Sequence, residues 1–345
     1  MNPPHPFDRL TPDLVQDAMA QVGLFGDGRL SALPSYENRV YLAPLERPAP
    51  DHPDVNAVVL KFYRPERWGE AQILEEHAFA QELADAEVPM VAPLRWSGQS
   101  LHHIDGFRFS VSPRRGGRTP ELDDLEVLEW TGRLLARLHD VGARQPFASR
   151  PALNLDSFGV QPLQWLLSHD AVTPGQRAEW ERTCRDMLDR VAQHPALCGD
   201  AGSPQGGIRQ LRTHGDCHPG NILWTPGDGA DAGPHFVDLD DARTAPAVQD
   251  LWMLAQGERA QRTLQLSVLI EGYEQVRPFD RRELALIEPL RSLRLLHYSC
   301  WLAQRQSDPA FQQAFAWFGS DDYWRDQIVT LREQCEAMDQ PPLWV

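Results

Sequence analysis

The sequence predicts an α+β chain in two lobes: a small β-rich N-lobe (residues 1–112) and a larger helical C-lobe (residues 113–345). Three observations predict it. Up to residue 113 the apolar residues mostly alternate, with one internal helical stretch. After "SPRRGGRTPE" the period lengthens to that of amphipathic helices, almost to the end of the chain. Only three strand-like runs occur in this second part, "QLRTH", "NILW" and "PHFVDLDDA", and they flank one loop, "THGDCHPGNILW" at residues 213–224. A length of 345 residues is enough for two lobes, each with its own core.

The elements follow in order. "TPDLVQDAMAQVG" (residues 11–23) has a Thr cap, a Pro in the first turn and a terminating Gly, so it reads as a helix. Residues 28–45 alternate and are rich in Val, Tyr and Leu, which predicts two strands joined by a turn at Pro34 and Ser35. "DVNAVVLKFYRP" (residues 54–65) is a third strand, with Lys61 late in it. Residues 66–89 place Ile73, Glu76, Phe79, Ala80 and Leu83 on one helical face. Residues 94–113 read as two or three further strands with a Gly turn, leading into a Gly-containing hinge near residues 110–118. Residues 122–142 and 172–194 are amphipathic helices, and residues 246–340 are almost all helical in pattern.

Composition excludes several classes. The hydrophobic fraction of 42% and charged fraction of 24% are ordinary globular values. Forty-nine acidic against 33 basic side chains give a net charge of −16, which opposes sequence-independent binding to nucleic acid. The five cysteines, Cys184, Cys198, Cys217, Cys300 and Cys335, are scattered and form no C-x-x-C pair, so reduced thiols are expected. "MNPPHPFDRL" has no signal-peptide pattern, and no apolar run reaches the roughly 18 residues of a membrane span. A cytoplasmic chain without membrane contact is expected.

The 213–224 loop admits two readings. Zinc coordination would use His214, Cys217 and His218, but no second His/Cys cluster completes such a site. The alternative uses Asp216 and Asn221, spaced D-x-x-x-x-N as in a kinase catalytic loop. There one short loop presents an Asp to the acceptor hydroxyl and an Asn to magnesium. Alone the spacing is weak. "FVDLDDA" strengthens it, because a β-hairpin across residues 222–238 would bring Asp238 near Asn221 as a second oxygen ligand for Mg²⁺. Asp240 and Asp241 read equally well as a solvated turn. Lys61 can reach the α- and β-phosphates of a nucleotide, with Glu76 or its neighbour Glu75 orienting it; the bland reading is a Lys at a strand edge beside a surface Glu. Neither G-x-x-x-x-G-K-[ST] nor G-x-G-x-x-G is present. Ser35, in "LPSYENRVY", occupies the place of a glycine-rich hairpin, or is simply the polar tip of a turn.

Together these residues resemble the aminoglycoside phosphotransferase and choline kinase superfamily, whose loop reads H-G-D-x-x-x-x-N. "HGDCHPGNILW", "FVDLDDA" and "VQDLWMLA" follow its order, and "SYENRVY" and "LKFYRPERW" look like its bacterial stress-response Ser/Thr protein kinases. The resemblance runs from about residue 11 to the C-terminal helices and implies a bilobal protein-kinase-like fold. It implies ATP and Mg²⁺ as cofactors, and protein substrates with Ser or Thr acceptors for a monomeric enzyme. It also implies residue roles: Asp216 and Asp238 in catalysis, Asn221 and Asp238 on magnesium. Ser35, Lys61, Glu76, Val111, Ser112 and Pro113 would contact ATP, the last three as a hinge beside the adenine. Asp250 would brace the catalytic loop. No activation-loop Ser/Thr followed by A-P-E is present, so control by loop phosphorylation is not expected. Two rivals stand beside this reading: a small-molecule kinase of amino alcohols, sugars or aminoglycosides, and a nucleotide-sensing pseudokinase.

Overall fold

The structure is a computed structural model describing residues 6–194, 207–227 and 232–345. The first five residues, Cys198 and residues 228–231 of the expected 222–238 hairpin lie outside them. In chain order the elements are α1 (Pro12–Gln21), β1 (Ser31–Leu33), β2 (Arg39–Pro44), β3 (Ala57–Phe62), α2 (Glu70–Asp85), β4 (His102–Ile104), β5 (Phe107–Pro113), α3 (Leu125–Gly142), α4 (Gln161–Ser168), α5 (Pro174–Gln193), β6 (Leu211–Thr213), β7 (Ile222–Thr225), β8 (Gly233–Phe236), β9 (Arg243–Ala245), α6 (Val248–Trp252), α7 (Arg259–Glu274), α8 (Ile287–Arg305), α9 (Pro309–Ala314) and α10 (Asp321–Met338). They form two compact units: Met1–Pro120 with Gly220–Asp240, and Glu121–Pro219 with Asp241–Val345.

The first unit is built on an antiparallel sheet of order β1-β2-β3-β5-β4. The alternation read in the sequence places Val58, Leu60 and Phe62 of β3 on one fully buried face. They pack with Phe107, Phe109 and Val111 of β5 and with Val15 and Met19 of α1. Phe62 and Phe109 stack with centroids 5.4 Å apart. Each such ring contributes roughly 2–3 kcal/mol by its burial. The Thr11 hydroxyl caps α1 by accepting from the N–H of Leu14 at 3.2 Å, as its sequence predicts. The β7–β8 hairpin belongs to this unit, and the Phe236 N–H donates to the Pro89 carbonyl at 2.8 Å.

The second unit is mostly helical. α3 starts at the Asp124 cap, whose carboxylate accepts from Glu126 N–H at 3.0 Å. α5 and α10 meet through Trp180 and Trp324, both fully buried, in an edge-to-face pair at 5.4 Å. β6 pairs with β9, a three-residue strand too short for the period-two pattern to announce. β6 leads into the 213–224 loop, and β9 follows the turn at Leu239–Asp241.

Candidate active site

Lys61 is the centre of the first unit's polar cluster. It lies on β3 opposite Ser110, and its Nζ is 3.2 Å from Glu76 Oε1, 3.0 Å from Asp238 Oδ1 and 3.1 Å from Asp240 Oδ1. Glu76 is buried on the inner face of α2 that its helical spacing predicts, which settles the choice against Glu75 as the Lys61 partner. Burial opposes a charge on Lys61. The three carboxylates outweigh it and hold the ammonium well above its usual range.

Asp240 is a buried member of the cluster rather than a solvated turn residue. It accepts from Asn38 Nδ2 at 3.2 Å and pairs with Arg67 at 2.9 Å. Asn38 also accepts the Arg64 N–H at 3.0 Å, and Glu37 pairs with Arg67 at 2.8 Å. The "SYENRVY" turn is thereby tied to the "DLDDA" turn. Breaking one partner out of such a buried set costs about 3–5 kcal/mol. Ser35 lies in that β1–β2 turn, half-buried, two residues before Glu37.

Asn221 ends a short turn, Pro219–Asn221, and its carbonyl accepts from Val237 N–H at 3.1 Å. With Ile222 opposite Phe236, this register puts Asn221 and Asp238 at the same end of the hairpin. Asp238 is exposed and holds φ at +63°, a left-handed conformation that Asp tolerates better than most residues. Its carboxylate accepts from Lys61 Nζ and, at 3.3 Å, from the Asp240 N–H. Val111, Ser112 and Pro113 close β5, facing Leu60, Val59 and Val58 in the register, and the Val111 carbonyl accepts from Leu94 N–H at 2.8 Å.

The second unit holds Asp216. Gly215 before it has φ +82°, and a Cβ there would stand 2.2 Å from the Asp241 carbonyl oxygen, so only glycine fits. His214 and Gly215 donate their backbone N–H groups to Asp250 at 2.8 and 2.9 Å. Asp250, fully buried on α6, also faces His139 Nε2 of α3 at 2.9 Å, and His139 Nδ1 is 3.0 Å from the Tyr273 hydroxyl of α7. An ionised carboxylate only accepts, so His139 carries its proton on Nε2. Burial alone would raise the Asp250 carboxyl. The hydrogen bonds from His139 and from the two backbone N–H groups hold it below the usual range instead. This is the bracing expected of Asp250, and three helices supply it. Cys217 fills the loop: it is fully buried, and burial pushes its thiol well up, which makes it a poor metal ligand. Asp216 Oδ1 is 2.7 Å from Arg294 of α8, and Oδ2 is 3.6 Å from His218 Nε2. Arg294 and the Arg67–Asp240 pair were not singled out in the sequence. "RSLR" and "YRPER" contain Arg294 and Arg67, but nothing local marks one arginine over its neighbours.

α6 is itself set by a buried acid. The Val248 N–H donates to Glu283 Oε2 at 2.7 Å. Burial pushes Glu283 up to about 7 from 4.5, against the pull of that N–H. A raised carboxyl gives stability that is full below 4.5 and is lost as the pH rises through about 7. We expect Glu283→Gln to remove this dependence, worth about 3 kcal/mol between pH 4.5 and 7 at most. Urea midpoints at pH 5 and pH 8 test it; identical pH dependence in both proteins would refute it.

Residues 29–287 match the model of the phosphotransferase enzyme family, and the chain belongs to that family. Solved structures show its fold: an amicoumacin kinase bound to AMP-PNP, Ca²⁺ and amicoumacin (18% identical, TM-score 0.69, 96% of this chain and 94% of that one), and a spectinomycin phosphotransferase bound to ADP and spectinomycin (12% identical, TM-score 0.62, 96% of each). Within the family it belongs with the stress response kinases. It is 42% identical to stress response kinase A of Escherichia coli K12 and to the serine/threonine protein kinase RdoA of Salmonella typhimurium, over 98% of this chain and 96% of each relative. No helix among the described residues is long and apolar enough to cross a membrane.

Proposed function

We propose that the chain is a cytoplasmic, monomeric serine/threonine protein kinase that transfers the γ-phosphoryl of ATP to protein hydroxyls. The observation that carries it is Lys61 held by Glu76, Asp238 and Asp240, on a chain 42% identical to serine/threonine and stress response kinases. Lys61 neutralises the α- and β-phosphates, and Glu76 keeps its ammonium in place. Ser35 approaches the phosphates from the β1–β2 turn. Val111, Ser112 and Pro113 line the adenine; on this reading residues 1–112, joined by Asn221 and Asp238 of the Gly220–Asp240 segment, form the ATP-binding lobe, and residues 113–345 otherwise form the catalytic lobe. Asn221 and Asp238 offer an amide and a carboxylate oxygen, the hard donors that suit Mg²⁺. Bound there, Mg²⁺ supplies charge neutralisation at the phosphate oxygens. Asp216 orients the acceptor hydroxyl and takes up its proton.

Radiolabel transfer from ATP to dephosphorylated casein and to myelin basic protein, run beside a panel of amino alcohols and aminoglycosides, tests the assignment. Label in protein is expected. Label confined to small molecules would favour the rival acceptor class. Asp238→Asn is expected to cut protein transfer about 100-fold or more, since one charge-stabilising group is lost. Its exposed position leaves folding intact, so undiminished transfer would remove Asp238 from the mechanism.

A further inference from the structure

The candidate base Asp216 has an arginine as its ion-pair partner, in a chain that carries 49 Asp and Glu residues against 33 Lys and Arg. Its carboxylate meets the Arg294 guanidinium at 2.7 Å. Arg294 lies on α8 with Arg291, Tyr298, Trp301 and Arg305, spaced so that all five share one helical face. Residues 291–305 contain no Asp or Glu at all. Glu288, one turn earlier, is taken by Arg262 at 3.0 Å and lies 4.0 Å from Arg291, so one carboxylate serves two guanidinium groups. Tyr298 is exposed and stacks with Trp301 at 5.6 Å, while the Arg305 guanidinium sits 5.3 Å over the Trp301 ring. The face from Arg291 to Arg305 is about 21 Å long, at 1.5 Å per residue. That is room for about six residues of extended peptide.

We propose that this cationic and aromatic face of α8 is the acceptor subsite, and that it takes protein segments with Asp or Glu flanking the Ser or Thr. The inference rests on the protein-kinase reading and names the substrate class of the same site. A hydroxyl presented to Asp216 brings its flanking residues beside Arg294 and Arg291. Carboxylates there gain charge-assisted hydrogen bonds from guanidinium groups. The ammonium groups of an aminoglycoside or amino alcohol meet like charge instead. Tyr298, exposed and backed by Trp301, offers its ring to the rest of the segment.

Two Ser peptides identical except for Glu or Lys at the flanking positions test the subsite. Wild type is expected to prefer the Glu peptide about tenfold in kcat/KM, the size of effect of a few half-exposed charge pairs. In Arg291→Glu/Arg305→Glu the preference is expected to vanish or invert through KM, with kcat little changed. Arg291→Lys/Arg305→Lys keeps the charges and is expected to keep the preference. A merely structural role for these arginines would lower kcat for both peptides and leave the ratio alone, which would overturn the proposal. ATP affinity and the urea midpoint check folding; if the double Glu variant does not fold, Arg305→Gln and the wild-type ratio decide. Equal transfer to both peptides by wild type overturns the subsite but leaves protein-kinase activity standing. Transfer to neither peptide nor to casein overturns both.

Discussion

Asp216→Asn is expected to lower kcat for protein phosphorylation by about 10²–10⁴ while leaving ATP affinity nearly unchanged. The amide keeps the size and one oxygen of the carboxylate but cannot accept the acceptor's proton. The residues that hold Lys61 belong to the other unit, so the nucleotide loses no contact with them. Folding should tolerate the change, because Asp216 is half-buried and the loop is braced through the backbone of His214 and Gly215 rather than through the Asp216 side chain. Its ion pair with Arg294 weakens, at a cost of about 1 kcal/mol for a partly exposed pair. The measurement is single-turnover transfer to casein beside ATP binding by fluorescence competition. A folded Asn variant that binds ATP and transfers at the wild-type rate would remove Asp216 as the base. A variant that loses ATP binding in step with transfer would place it on the nucleotide instead.

The residues that were legible in the sequence share a physical character. Asp216 and Asn221 are five apart on one loop, and the Asn221–Asp238 relation follows from a single hairpin register. Glu76 was legible because helical spacing assigns it to the face of Ile73 and Phe79. Local geometry fixes all of these, and local geometry leaves a pattern. Asp240 was open between a solvated turn and a site residue because its partners, Asn38 and Arg67, are far away in sequence. A contact across the chain leaves no spacing to read. Arg294 was silent for a second reason: α8 carries Arg291, Arg294 and Arg305, and only the fold shows which one reaches Asp216. β9 follows "PHFVDLDDA" directly and has no pattern of its own to separate it from that run. Gly215 shows the reverse case. As a loop residue in the sequence it fits any tight turn; the structure adds the 2.2 Å approach to Asp241 that forbids a side chain.

Asp250→Asn is expected to cost about 3–5 kcal/mol of stability and to disable transfer, although Asp250 touches no substrate in the proposed mechanism. Its two oxygens receive three donors: Oδ2 takes His139 Nε2 and the His214 N–H, and Oδ1 takes the Gly215 N–H. An Asn has one oxygen. Whichever way the amide turns, its NH₂ faces a donor, and at least one buried N–H is left unsatisfied. His139 loses the charge that orients its ring, and its bond to Tyr273 of α7 loosens with it. Because α3 bonds this α6 carboxylate through His139, and α7 bonds His139 in turn, the loss spreads to the loop that carries Asp216. The urea midpoint and casein transfer should therefore fall together, and ATP affinity should fall less. The double variant His139→Gln/Asp250→Asn provides the check on mechanism. If the two side chains act as one network, it should be less destabilised than the sum of the singles by more than about 1 kcal/mol. Strict additivity would mean that His139 and Asp250 support the loop independently, and that the line from Tyr273 to Gly215 carries no coupling.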